Sequence, residues 1–109
     1  RSHTEAKLMM EIFRTQILPS ALEYQKLVKE VEPALLKKLP LHQAMKEIDH
    51  VEELVKKATS HHGEEEARIF AEEVAPQMQT ARKYIDSLEE WMDDRLWQLP
   101  KYRELLFLL

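Results

Sequence analysis

The chain has 109 residues, 44% hydrophobic and 33% charged, which is the size and balance of one folded domain rather than a disordered chain or a membrane span. Its net charge of −4 is uneven, about +1 over residues 1–57 and −5 over residues 58–109, so no basic face stands ready to track a nucleic acid or an anionic membrane. Cysteine is absent, which excludes disulfides and thiolate-held metals, and one glycine cannot build a phosphate-binding loop or the turns of a sheet.

In chain order, the first predicted element covers residues 4–32. Thr4 is its expected N-cap, and Leu8, Ile12, Ile17, Ala21, Leu22, Val28 and Val31 are its expected buried side. Pro33 and Pro40 then bracket a connector, Ala34 to Leu39, with room for one helical turn. The second helix, 41–61, has the clearest period: Leu41, Ala44, Met45, Ile48, Val51, Val55 and Ala58 recur at steps of three and four. Pro40 suits its start and Gly63 its exit.

The third helix is predicted over 64–96. Phe70, Val74, Met78, Ala81, Ile85, Leu88 and Met92 form nearly a heptad seam, which calls for near-parallel neighbours. Glu64, Glu65 and Glu66 occupy its first turn, where carboxylates complement the helix dipole. The expected architecture is therefore all-α, one domain over 1–109: an elongated three-helix up-down-up bundle with an apolar tail, residues 97–109.

Two prolines fall inside these helices, and each removes a backbone donor and is expected to kink its helix. Pro19 and Pro76 have matching surroundings: Ile12-Phe13 and Ile69-Phe70 precede them, and Ile17 and Val74 each sit two residues before, always 57 apart. Since the first and third helices run parallel in such a bundle, matched kinks would bend them together.

The tail is rich in large apolar groups. Leaving Leu105, Leu106, Phe107, Leu108 and Leu109 in water would forgo about 10 kcal/mol, comparable to a whole domain's stability. The tail must therefore dock, on its own bundle or on something else. Trp91, Trp97, Tyr102 and Phe107 gather near it, as core aromatics or as interface anchors.

No set of residues carries chemistry. His61-His62 followed by three glutamates lacks a spaced partner for a metal and reads as a solvated loop. Glu47-Ile48-Asp49-His50 has the spacing of one ligand pair of a di-iron bundle, but that site needs a second pair and two further glutamates, and no second copy exists. Glu89, Glu90, Asp93 and Asp94 read as a solvated acidic face. No Ser/His/Asp or Cys/His arrangement is present.

Four blocks carry a family resemblance: Thr4-Glu5-Ala6-Lys7; Arg14 through Leu18-Pro19-Ser20 to Tyr24; Ala81-Arg82-Lys83-Tyr84-Ile85-Asp86; and Trp97-x-x-Pro100-x-Tyr102-x-x-Leu105-Leu106-Phe107. In order and approximate spacing they resemble the C-terminal region of type III glutamine synthetases. Gln98 departs from the pattern, where proline is expected after the tryptophan, and the connectors match poorly.

The resemblance implies a fragment of a longer enzyme that joins ammonia to glutamate with ATP and a divalent metal and assembles as stacked rings. It implies that the catalytic motifs lie upstream, so that this piece holds no catalytic, cofactor or metal residue. Its partners would be the rest of the subunit and neighbouring subunits, with no nucleic acid and no membrane, in the cytoplasm. Trp97, Pro100, Tyr102, Leu105, Leu106 and Phe107 would form the docking block. The alternative is a stand-alone helical interaction module of the adaptor kind.

Overall fold

The computed structural model describes residues 2–96; the docking block from Trp97 to Phe107, and the tail as a whole, lie outside the described residues. Among the described residues there is no strand. Three rods account for nearly all of them. The first runs through α1 (Ser2–Ile12), a five-residue π turn (Phe13–Ile17) and α2 (Leu18–Val31). The second is α3 (Leu41–Thr59). The third runs through α4 (Gly63–Ile69), a second π turn (Phe70–Val74) and α5 (Ala75–Leu96). A 3-10 helix, Pro33–Lys38, connects the first two rods, longer than the single turn its brackets suggested. The whole measures 65 × 20 × 18 Å.

The expected features at the helix ends are partly corrected. The first rod already begins at Ser2, so Thr4 does not cap it. Gly63 opens the third rod rather than closing the second, because its φ of +62° turns the chain between them. The second rod ends at Thr59 with Ser60 as C-cap, and His61 Nδ1 donates to the Lys57 carbonyl at 2.9 Å. That bond satisfies one of the orphaned carbonyls at the helix end.

The second rod packs as its period predicts. Leu41, Ala44, Ile48, Val51, Val55 and Ala58 are buried, while Met45 is 37% exposed at the edge of the stripe. Five alanines, Ala6, Ala21, Ala44, Ala58 and Ala81, lose all their exposure and are spread over all three rods. With so little side chain between them, the axes can approach at the close end of the usual helix spacing.

The first rod departs from its expected face. Only Ala21 and Val28 of the expected stripe are buried. Ile17 and Val31 are half-buried, and Leu8, Ile12 and Leu22 are exposed by 53%, 38% and 46%. The core is instead Ala6, Phe13, Ala21, Tyr24 and Val28. The reason is the π turn. The Leu18 N–H donates five residues back, to Phe13, so one extra residue enters that turn. The buried positions Ala6, Phe13, Ala21 and Val28 are accordingly spaced seven, eight and seven apart.

Each π turn ends two residues before a proline, Pro19 or Pro76, and the Ala75 N–H likewise reaches back five residues to Phe70. The widened turn is how these rods are arranged just ahead of a residue with no N–H to give.

The two π turns do not lie level, however. His3 stacks at 5.7 Å against Phe70, and Tyr24 meets Trp91 edge-on at 5.4 Å. Both pairs are 67 apart in sequence, whereas the π turns are 57 apart. They are thus staggered by ten residues, about 15 Å at the helical rise. Each rod has one π turn within the shared span, and so the register is the same at both ends.

Candidate docking surface

The second rod is tied to both neighbours by polar pairs. Arg14, on the first π turn, donates from Nη1 to Glu52 at 2.9 Å and from Nη2 to Asp49 at 3.2 Å. The hydrogen bond to Arg14 holds the Glu52 carboxyl below its usual range, and the same bond raises the guanidinium further above its own. Lys57 Nζ donates to Glu73, on the second π turn, at 2.7 Å. Gln77 Nε2 donates to the side chain and the carbonyl of Glu47 at 2.6 and 3.1 Å, and Gln43 donates to the same carboxylate at 2.9 Å.

These pairs account for one residue of the metal-like spacing seen in the sequence. Glu47 is engaged by two glutamines, and His50 is exposed. Among the described residues no group of three or more His, Asp or Glu side chains converges as a metal site would. On the outer face of the third rod, Arg68 pairs with Glu65 and Glu72 and holds the Glu65 carboxyl below its usual range. Of the expected acidic face Glu89 and Glu90 are exposed, and the side chains of Asp93 and Asp94 lie outside those described.

The seam between the first and third rods is where apolar surface is left uncovered. One hollow of about 410 Å³ is lined by Ile17, Tyr24, Leu27 and Met92, with Ser20, Glu23 and Glu89 at its edge. A second, of about 360 Å³, is lined by Leu8, Met9, Ile12, Ile17, Met78 and Ile85, with Glu5, Arg82, Asp86 and Glu89. They share Ile17 and Glu89 and form one groove along the seam. The groove arises from the core's path: Ala6 and Phe13 are buried, while Leu8 and Ile12 are exposed and line the hollow.

Sequence reasoning placed Leu8 and Ile12 in the core and so missed this surface. The signal was the five-residue step from Ile12 to Ile17, which no uniform α-helix keeps on one face. Of the aromatics gathered near the tail, Trp91 packs edge-on against Tyr24, which lines the first hollow. Pro19 and Pro76 each follow a π turn by two residues and are not among the residues lining the two hollows. No helix among the described residues is long and apolar enough to cross a membrane.

Among known proteins, no family model and no solved structure matches the chain. Two curated relatives do. A glutamine synthetase of Bacteroides fragilis is 51% identical over 43 residues, 39% of this chain and 6% of that protein. A type-3 glutamine synthetase of Dictyostelium discoideum is 27% identical over an alignment covering 95% of this chain and 17% of that protein. The chain thus spans less than a fifth of the length of either relative. Over nearly its whole length, this helical chain is similar to the type III glutamine synthetases that its sequence blocks resemble.

Proposed function

We propose that this chain is a non-catalytic, helical C-terminal domain of a type III glutamine synthetase, contributing to subunit packing and oligomer assembly. The observation that carries the reading is the alignment of 95% of this chain with 17% of a type-3 glutamine synthetase. The parent would join ammonia to glutamate with ATP and a divalent metal in the cytoplasm, and its reacting groups would lie elsewhere. This piece would bind the rest of its subunit and neighbouring subunits. Its first and third rods would bend at Pro19 and Pro76, giving the elongated domain a curved face for packing. The block Trp97, Pro100, Tyr102, Leu105, Leu106 and Phe107 is the segment with most apolar surface to bury.

Two measurements test the proposal. The isolated chain should show no saturable thermal shift with ATP or glutamate. Removing the matching segment from the Dictyostelium enzyme should shrink its assembly in sedimentation while leaving ATP binding intact. A chain stabilised by ATP, or a truncated enzyme that assembles as before, would overturn it.

The second reading, a stand-alone interaction module, is favoured by the uncovered apolar seam. It requires that the isolated chain capture a helical partner through Leu8 and Ile12, with affinity lost in Ile12→Glu.

A further inference from the structure

The seam between the first and third rods joins an apolar floor to an acidic rim. We propose that this groove takes a basic amphipathic helix, about four turns long, supplied by a partner protein. Such a partner rests on the interaction-module reading and gives it a chemistry.

Shape comes first. Along the third rod the two hollows run from Met78 to Met92, about 21 Å at the helical rise, which four turns of a helix cover. Leu8 and Ile12 are exposed by 53% and 38%, and Ile17 and Leu27 are half-buried. A helix with leucines at steps of three and four would cover that floor. Among the described residues there is no strand edge to pair with an extended peptide, so a partner must bring its backbone bonds already made, as a helix does. Three of the chain's five methionines, Met9, Met78 and Met92, line the groove, and their unbranched thioethers adapt to an incoming surface.

Charge selects which helix. Glu5, Glu23, Asp86 and Glu89 stand exposed on the rim, against Arg82 alone. Among the described residues no ion pair engages these four carboxylates, whereas Glu52 and Glu73, at the second rod's contacts, each hold a cation. Lysine or arginine flanking the leucines of a partner helix would meet the rim while its charge stays in water. A second copy is a poor occupant, because a two-fold contact would set this acidic rim against itself.

The test measures fluorescence anisotropy of labelled fourteen-residue helical peptides with the 109-residue chain at low ionic strength. One peptide carries a leucine stripe flanked by lysines, a second has glutamate for each lysine, and a third keeps the lysines but spreads the leucines around the helix. The first should bind at least about tenfold tighter than either other, with its lead over the second shrinking as salt is added. Asp86→Lys with Glu89→Lys should cut that lead about tenfold, and Ile12→Glu should weaken the first peptide about tenfold by putting a charge into the apolar contact. All three positions are exposed, so helicity by circular dichroism should be unchanged in these variants. Equal binding of the lysine and glutamate peptides, both weakened by Ile12→Glu, would overturn the basic partner and leave the interaction module standing. Binding of neither would overturn both. Binding of the lysine peptides wherever their leucines lie would also overturn the proposal. A chain that sediments as a dimer, and as a monomer in Ile12→Glu, would give the groove to a second copy and overturn it.

Discussion

Phe13 and Ala21 lie on one buried stripe of the first rod although eight residues separate them, one more than two α-helical turns allow. The extra residue sits in the π turn ahead of Pro19. Deleting Gln16 together with Pro19→Ala should therefore restore a uniform helix with the same core face. The shortened chain should keep its helicity and a cooperative melt by circular dichroism. Deleting Lys46 from the regular second rod should abolish the cooperative melt, since it turns the residues beyond it by about 100°.

Burial separates residues that composition alone treats as equals. Phe13 is 1% exposed and Leu22 is 46% exposed on the same rod. Phe13→Ala is expected to cost about 3–5 kcal/mol in urea unfolding, as a large core deletion does. Leu22→Ala should stay within about 0.5 kcal/mol. A reversed order would mean that the first rod buries the face its sequence period suggested.

The Arg14–Glu52 pair predicts a pH signature. The folded carboxyl titrates below its usual range because of the guanidinium hydrogen bond. A carboxyl lowered in this way stabilises the fold above its unfolded pKa, and the contribution is lost as pH falls through the folded value. Glu52→Gln should thus lower the thermal midpoint slightly at neutral pH, and the gap from the native chain should close as pH drops below the ordinary carboxylate range. Since both partners are solvent-accessible, added salt should shrink the same gap.

Gly63 turns the chain into the third rod with φ at +62°, and an added Cβ would meet nothing within 4 Å. Strain is then the whole cost of a side chain there. Gly63→Ala should lose about 1–2 kcal/mol, and Gly63→Asn less, because Asn tolerates the left-handed region. Chemical denaturation of the three proteins checks the order.

Much of this architecture was legible in the sequence. The second rod was readable because its steps of three and four never slip, and the third because Phe70 through Leu88 hold nearly one seam. The first rod misled because a period search assumes a constant turn. In a uniform helix Ile12 and Ala21, nine residues apart, fall on opposite faces, and the extra residue of the π turn brings Phe13 rather than Ile12 into line with Ala21. The docking groove went unread for the same reason, since its lining was assigned to the core.

The sequence by itself determined an all-α character, the three rods and the likeness to type III glutamine synthetases. These follow from local period, from glycine and cysteine scarcity, and from residue blocks in order. Only the tertiary structure decided which face of the first rod is inside, that the two π turns are staggered by about 15 Å, and that the seam is left open. Local pattern sets how a helix turns, but which of two apolar stripes is buried depends on where the neighbouring rods lie, and residues remote in sequence settle that.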